Sequence, residues 1–392
     1  MNMTLHLTDA CNMACKYCFQ TRSPSFMTEE TARKAVDLSV FAGGPVSGRD
    51  ALSMYKPALA QEGITGDSQS TGICFFGGEP LLLRNLIMNT VKYCSEINSK
   101  SGHPFFFKLV TNGTLLDESF LEFADENKIG IGFSHDGLMQ DDSRIFPDGS
   151  GSADLLESQI QLLLSHQPDA IVMCTVSPSS VGKFAGSVEW LFKKGFRRIY
   201  TTPAVGENAC WTDEQMEELG EEYRKISMFY IDWTVRGERF YFPAFDTKIE
   251  THIMGELYRH KTCRFGQKQL SVAPDGSIYP CIQFVGEPAY KMGDVFSGII
   301  DNKRDYVIEQ GKREPYICQA CALRRRCQYN CCCRNKHMTG QIDQVSPFTC
   351  SHEQLLIRYA DEAANALYEK QNKTFFKKQY ENRLRAEAWE SL

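Results

Sequence analysis

The sequence contains no apolar run long enough to cross a membrane and only a small excess of charge of one sign. Its 392 residues include 43 lysines and arginines against 49 aspartates and glutamates, a formal net charge of -6. A membrane-spanning helix needs on the order of 18 consecutive apolar residues, and binding to a phosphate backbone needs a basic surface. These two absences argue against a membrane-spanning protein and against a nucleic-acid partner.

The first residues, MNMTLHLTDAC, also lack the basic and apolar regions of a secretory signal peptide. The sequence therefore predicts a cytoplasmic protein. The cytosol keeps thiols reduced, so the 16 cysteines of the chain are not expected to form a disulfide framework. Their number predicts metal ligands or catalytic thiols instead.

Apolar strand patterns alternate with helical patterns along the first 235 residues. Strands are predicted at about 3–8, 72–76, 105–111, 129–134, 170–176 and 196–202, and helices at about 29–42, 83–98, 117–127, 152–166, 180–194 and 212–235. Such alternation is typical of an α/β fold with a parallel sheet. We predict a partial (β/α)6 barrel over residues 1–240, with functional loops at the carboxyl ends of its strands. The glycine- and serine-rich stretch 43–72 is predicted to be mostly a surface insertion.

The pattern changes after about residue 250. Nine cysteines lie between positions 263 and 350, which predicts a second, cysteine-ligated domain over residues 255–352. Residues 353–392 have the amphipathic pattern of a helix that packs on one of the two domains, and we assign no chemistry to them. Of the remaining cysteines, Cys74, Cys94 and Cys174 are interpreted as small core residues, whereas Cys210 has no assigned role.

Cys11, Cys15 and Cys18 follow the first predicted strand, on a loop where a barrel places its active site. Three thiolates are one fewer than a 4Fe-4S cubane needs, so a cluster held here would keep one iron open to a substrate or cosubstrate. The alternative is a three-cysteine zinc site with a fourth ligand such as His6.

The cysteine loop, with the aromatic Tyr17, resembles the cluster loop of radical S-adenosylmethionine (SAM) enzymes. The resemblance implies that a 5'-deoxyadenosyl radical, formed by reductive cleavage of SAM, abstracts hydrogen from an unactivated carbon. Several further residues resemble SAM-binding elements of that family. The segment Gly77-Gly78-Glu79-Pro80 resembles the motif for the SAM amine, Ser134 and Asp136 the element for its ribose, Arg144 a carboxylate ligand, and Thr111-Asn112-Gly113 the end of the third strand.

The cysteines after residue 255 resemble those of the SPASM domain, which carries two auxiliary 4Fe-4S clusters. By this resemblance Cys318, Cys321, Cys327 and Cys350 hold one cluster, and Cys263, Cys281 and Cys331 hold the other. The second cluster then has an open position unless Cys332 or Cys333 fills it. A zinc ribbon is the alternative for this spacing.

The resemblance implies a maturase of peptides or proteins, with a flavodoxin- or ferredoxin-type reductant. The segment 279–295 is similar to maturases that form Cys thioether crosslinks in ribosomally made peptides, so a Cys-containing peptide substrate is expected. Anaerobic sulfatase maturases, which oxidise Cys or Ser to formylglycine, have an aspartate where this chain has Ile282, which cannot accept a proton. That reaction remains an alternative, as does a non-catalytic electron-transfer or zinc-ribbon protein. The arginine run 324–326 is either a surface for an acidic partner or solvated surface.

Overall fold

The computed structural model describes residues 2–41, 70–206, 209–255, 265–267 and 269–380. The strands β1 to β10 run, in order, over Asn2–His6, Thr71–Phe76, Phe105–Thr111, Ile129–Ser134, Ile171–Val176, Arg198–Pro203, Gln269–Val272, Ser277–Tyr279, Gly293–Asp294 and Gly298–Ile299. The helices α1 to α11 run over Glu29–Phe41, Arg84–Ser101, Glu118–Glu126, Gln140–Ser143, Ala153–His166, Phe184–Lys194, Asp213–Val235, Pro243–Met254, Asp301–Gly311, Cys332–Thr339 and Pro347–Glu369. Most of the predicted insertion at 43–72 lies outside the described residues, as does Cys263.

The described residues of 2–134, 144–170 and 265–313 form one compact unit. Its strands are ordered β10-β9-β8-β7-β1-β2-β3-β4. The strands from β7 to β4 are parallel, whereas β7 to β10 are joined by antiparallel pairs. Parallel strands joined by helical crossovers need apolar side chains beneath the helices. In β2 these are Ile73 and Phe75, whose positions alternate with the half-buried Cys74 and Phe76.

Cys74 is half-buried and points to the face of β2 opposite Ile73 and Phe75, because successive side chains of a strand point to opposite faces. Its predicted role as a core residue stays a prediction. The core prediction is confirmed for Cys94 and Cys174, which are both buried.

The described residues of 135–143, 171–255 and 314–380 form the second compact unit. It contains the parallel pair β5 and β6 and a helical layer in which α11 packs against α7 and α8. Helix α7 begins with a capping box, because the Thr212 hydroxyl accepts from the Gln215 amide and the Gln215 side chain accepts from the Thr212 amide. Buried aromatic rings fill the layer, with the rings of Phe192 and Trp233 stacked 3.8 Å apart.

The predicted α/β class with a parallel sheet is confirmed, and the six predicted strand-helix units of the first 235 residues all form. The prediction did not anticipate that β7 pairs with β1, which places residues 269–299 in the same sheet as the first strands. An unpaired strand edge exposes a row of backbone donors and acceptors, and β7 satisfies that edge of β1. The predicted domain boundaries at 240 and 353 stay predictions.

Helix α11 begins earlier than predicted, at Pro347. The Ser346 side chain caps it by accepting from the Thr349 amide at 3.1 Å, and a proline in the first turn lacks the amide hydrogen that would otherwise need a partner. Among the described residues, no helix is both long and apolar enough to cross a bilayer.

Candidate active site

The loop that carries Cys11, Cys15 and Cys18 leaves the carboxyl end of β1 and lies within the first compact unit. All three thiols are half-buried. The Cys18 amide donates to the Cys15 carbonyl at 3.2 Å, and the Ala14 amide donates to the Ile145 carbonyl at 2.6 Å. These hydrogen bonds fix the backbone between the cysteines.

The two glycines at the end of β2 allow the loop to pack against that strand end. The Gly78 amide donates to the Thr8 carbonyl at 2.7 Å, and the Glu79 amide donates to the Ala10 carbonyl at 3.0 Å. A Cβ atom on Gly78 would lie 2.2 Å from the Ala10 oxygen, and one on Gly77 would lie 2.5 Å from the Thr8 oxygen. Both distances are far inside van der Waals contact. The glycines are therefore needed for close contact with the backbone that leads into Cys11, a role that the sequence had indicated only for a ligand.

The Glu79 carboxylate is fully buried and accepts three hydrogen bonds. Its Oε1 accepts from the Thr111 hydroxyl at 2.8 Å and from the Leu81 amide at 3.0 Å, and its Oε2 accepts from the Asn112 amide at 2.8 Å. Burial raises the pKa of Glu79 to about 7, and the three donors limit the rise. A buried carboxylate with this pKa gains from meeting an ammonium group, which restores its ionised form.

Asn112 joins the carboxylate to the cysteine loop. Its Nδ2 donates to Asn12 Oδ1 at 2.9 Å and lies 3.8 Å from the Cys11 sulfur, while its backbone amide donates to Glu79. On the opposite side, Asn12 Nδ2 donates to the Thr114 hydroxyl at 2.8 Å. The Thr-Asn-Gly resemblance had marked Asn112, but Asn12 was missed. Its position directly after Cys11 was the available signal.

The thiols of the loop fit a cubane cluster better than a single metal ion. Burial raises the pKa of Cys11, and the nearby Glu79, Cys15 and Cys18 raise it further, against the Met13 amide, which donates to the sulfur at 3.4 Å. Three thiols this close favour a cation or cluster that neutralises them. In the described part of the chain, no three His, Cys, Asp or Glu side chains converge on one ion site. A cubane does not need such convergence, because each of its cysteines binds a different iron.

His6 does not support the zinc alternative. Its Nε2 lies 3.0 Å from Asp9 Oδ1, and its ring packs edge-on against Phe76. The imidazole is thus engaged by Asp9.

The remaining predicted SAM ligands lie at the carboxyl end of β4 or shortly after it. Arg144 is buried, and its guanidinium stacks over the Tyr17 ring at 5.4 Å from the centroid. This cation-π contact ties Arg144 to the cysteine loop. In the second unit, Asp136 Oδ1 accepts from the Thr175 amide at 2.8 Å, so this carboxylate fixes the start of the segment after β4. Ser134 is mostly buried at the end of β4.

The predicted auxiliary-cluster cysteines are divided between the two units. Cys281 lies in the first, and the segment with Cys318, Cys321, Cys327, Cys331 and Cys350 lies in the second. Burial raises the pKa of Cys318, and the nearby Cys321 and Cys350 raise it further. Burial and then Glu353 raise the pKa of Cys327 to about 12. A Cys333 hydrogen bond lowers the pKa of Cys331 to about 6. Cys318 thus has two of the other three cysteines assigned to its cluster nearby, whereas the charged groups that affect Cys327 are Glu353, Lys248 and Arg334.

The sequence model of the Radical SAM superfamily matches residues 5–148, the segment that contains the cysteine loop, Glu79 and Arg144. The match identifies residues 5–148 as resembling a radical SAM domain. A curated relative, the cysteine-type anaerobic sulfatase-maturating enzyme of Clostridium perfringens (strain 13 / Type A), is 23% identical over 361 residues, which cover 83% of this chain and 86% of the relative. The family and this relative identify the chain as an enzyme, which sets aside the non-catalytic alternative.

Two solved structures share the fold. Native anSMEcpe with bound AdoMet and Cp18Cys peptide is similar at a TM-score of 0.73 and 20% identity, over 94% of this chain and 99% of that chain. Streptococcus suis SuiB bound to precursor peptide SuiA is similar at a TM-score of 0.52 and 15% identity, over 89% of this chain and 75% of that chain. At these identities the likeness shows the fold alone.

Proposed function

We propose that this radical SAM enzyme modifies a Cys-containing peptide, with formation of a Cys thioether crosslink as the preferred reaction. The observation that carries the proposal is the hydrogen-bonded connection from Cys11 through Asn112 to the buried Glu79. It couples a cluster loop to a carboxylate suited to an ammonium group. Both solved relatives described above hold peptides, which supports a peptide substrate here.

Each residue of the site has a role in the proposal. Cys11, Cys15 and Cys18 hold the 4Fe-4S cluster, Glu79 binds the amine of SAM, and Arg144 binds its carboxylate. Ser134 and Asp136 lie on the ribose side. The chemistry that the cluster and SAM supply when bound is abstraction of a hydrogen atom from an unactivated carbon. The protein positions the reactants and excludes water.

Two auxiliary clusters complete the proposal, held by the seven cysteines assigned above from position 263 onward. An open position on the cluster assigned to Cys263, Cys281 and Cys331 would let a substrate cysteine bind as thiolate. A flavodoxin- or ferredoxin-type protein is the proposed reductant.

Formylglycine formation is the second candidate, because the similar relative is a sulfatase-maturating enzyme. Ile282 argues against it. This residue begins a short 3-10 helix, Ile282–Phe284, directly after Cys281, and its side chain offers no base for the substrate thiol or hydroxyl proton.

The test uses the full chain, reconstituted anaerobically, with dithionite and the Cys-containing peptide encoded beside its gene. We expect bound iron and sulfide, 5'-deoxyadenosine, and a peptide that loses two hydrogens together with one alkylatable thiol. Cys11→Ala should abolish 5'-deoxyadenosine formation, whereas the exposed Cys210→Ala should not. A peptide aldehyde that hydrazine traps would show that the enzyme forms formylglycine and not a thioether. Absence of 5'-deoxyadenosine would refute both reactions.

A further inference from the structure

Three side chains beside Cys11 form a closed cycle of hydrogen bonds. Asn112 Nδ2 donates to Asn12 Oδ1 at 2.9 Å, Asn12 Nδ2 donates to the Thr114 hydroxyl at 2.8 Å, and that hydroxyl donates to Asn112 Oδ1 at 2.7 Å. We call the side chains of Asn12, Thr114 and Asn112 the hydrogen-bonded cycle. They come from the loops after β1 and β3, which both lie in the first compact unit. The cycle therefore joins the loop that carries Cys11 to the end of β3.

One backbone amide determines the direction of every donor in the cycle. The Thr114 amide donates to Asn112 Oδ1 at 3.0 Å, and because a backbone amide can only donate, this side of the Asn112 side chain must be its oxygen. Asn112 Nδ2 therefore faces Asn12, which must present its own oxygen there. Asn12 Nδ2 is then left for the Thr114 hydroxyl, and that hydroxyl donates onward to Asn112. Reversal of either side-chain amide would bring two donors together.

The second hydrogen of Asn112 Nδ2 is directed at the Cys11 sulfur. A side-chain amide nitrogen carries two hydrogens. One is donated to Asn12 Oδ1, and the other is donated to the Cys11 sulfur at 3.8 Å. The Met13 amide donates to the same sulfur at 3.4 Å. Because Asn112 is buried, little water competes for its hydrogen bond to the sulfur.

A donor on a cluster sulfur changes the energy of the reduced cluster. Hydrogen bonds to the cysteine sulfurs are among the factors that set the reduction potential of a 4Fe-4S cluster. Reduction adds one negative charge, and a hydrogen bond to a more negative acceptor is stronger, so the donor stabilises the reduced form more than the oxidised form. A donor held at the Cys11 sulfur therefore raises the reduction potential and favours entry of the electron.

We propose that Asn112 is a positioning residue that raises the reduction potential of the cluster on the cysteine loop, with the hydrogen-bonded cycle holding its side-chain amide on the Cys11 sulfur. The inference rests on the proposed function, in which Cys11, Cys15 and Cys18 hold that cluster. The backbone amide of Asn112 donates to Glu79 at 2.8 Å and so serves the SAM side of the site. A substitution of the side chain keeps this backbone bond, and the two roles can therefore be separated.

The test is a redox titration, followed by electron paramagnetic resonance (EPR), of the anaerobic, cluster-loaded full chain without SAM. The cluster of the cysteine loop is identified as the one whose EPR signal in the reduced state changes when SAM is added. We expect Asn112→Ala to shift its reduction equilibrium about tenfold toward the oxidised form, which lowers the potential by about 59 mV for one electron. Thr114→Val keeps the Asn112 side chain but opens the cycle, so it should lower the potential by a smaller, measurable amount.

Thr111→Val is the matched control at the end of β3. The Thr111 hydroxyl donates to Glu79 at 2.8 Å, so its loss should weaken SAM binding and leave the potential measured without SAM unchanged. A wild-type potential in Asn112→Ala overturns the inference. An equal decrease in Thr111→Val overturns it as well, because a general disturbance of the loops would then explain both variants.

The remaining outcomes separate the inference from the proposed function. If Asn112→Ala assembles no cluster, Thr114→Val decides, and a wild-type potential in that variant refutes the inference. If the wild type binds no iron and sulfide, the proposed function and the inference both fail. A wild type that assembles the cluster but modifies no peptide refutes the peptide function alone, since the potentials of the variants still show whether Asn112 acts on the cluster.

Discussion

The buried ion pair between Lys248 and Glu353 permits a quantitative prediction about the second unit. Lys248 Nζ lies 2.6 Å from Glu353 Oε2, and their side chains are only 3% and 2% exposed. The same carboxylate oxygen accepts from the Gln328 amide at 2.8 Å, and Lys248 also donates to the Arg326 carbonyl at 3.2 Å. The pair thus joins α8, α11 and the backbone on both sides of Cys327.

Removal of either Lys248 or Glu353 should lower the free energy of unfolding. Removing one member of a buried pair leaves an uncompensated charge and destabilises by about 3–5 kcal/mol. The pKa of Glu353 gives a similar figure. Burial alone would raise it, but Lys248 and then Arg334 lower it from 4.5 to about 2. A carboxyl group with that change contributes about 3 kcal/mol at neutral pH. Because the folded-state pKa is depressed, this stabilisation is complete above the unfolded value and is lost as the pH falls from 4.5 toward 2.

Urea unfolding of the apo chain at neutral pH measures the effect. We expect Lys248→Met to lower the free energy of unfolding by about 3–5 kcal/mol. The double variant Lys248→Met with Glu353→Gln should lose clearly less, since Gln keeps an acceptor for the Gln328 amide and the buried carboxylate that Lys248 neutralises is removed as well. Arg358→Ala is a matched control on α11, the helix that carries Glu353. The Arg358–Glu362 pair is exposed and should contribute less than about 1 kcal/mol to the free energy of unfolding. A loss in Lys248→Met no larger than in this control would refute the reasoning, as would a double variant that loses the sum of the two single variants.

Three further predictions concern the first unit. Gly78→Ala should prevent assembly of the cluster at the cysteine loop, because the new Cβ would stand 2.2 Å from the Ala10 oxygen. Iron content and SAM binding measure the effect, and wild-type values of both would contradict the prediction. Glu79→Gln should weaken SAM binding by about tenfold to a hundredfold, the range of a hydrogen bond to a charged group. The SAM affinity of the wild type should fall as the pH drops through about 7, because Glu79 has its raised pKa there and loses its negative charge. Calorimetry over a pH series measures this. An equally steep fall in Glu79→Gln would show that another group causes it. Hydrogen bonds to Asp125 and Glu118 raise the pKa of His166. Its contribution to the free energy of unfolding should therefore be complete below the unfolded-state pKa of 6.5 and disappear as the pH rises through the folded-state pKa. NMR titration of the ring measures the folded-state pKa, and a result at or below 6.5 would contradict the prediction.

Local sequence patterns were sufficient for the strand-helix alternation. The segments 105–111 and 129–134 match the strands β3 and β4 residue for residue, because their apolar runs end at polar and glycine residues that favour turns. The pairing of β7 with β1 could not be predicted in this way. It joins residues about 267 positions apart, such as Asn2 and Gln269, and nothing in either segment alone specifies its partner.

The candidate site was likewise predictable from the sequence only in part. Motif resemblance located Cys11, Glu79 and Asn112, each of which lies on a loop that follows a strand. Their mutual hydrogen bonds depend on how three separate loops meet, which only the fold determines. The sequence also does not say which face of β2 carries its fully buried side chains, and the structure assigns them to Ile73 and Phe75.

The arginine run 324–326 shows the limit of interpreting charge from sequence. Arg326 forms a two-pronged pair with Asp361, with both nitrogen-to-oxygen distances at 2.6 Å and only 15% of the arginine side chain exposed. Arg324 donates to Glu314 at 2.8 Å. Two of the three guanidinium groups therefore hold the Cys327 segment to α11 and to the residues before Cys318. An acidic reductant that bound at this run would have to compete with Asp361 and Glu314 for the same donors, and it would loosen the segment that carries Cys327 as it did so.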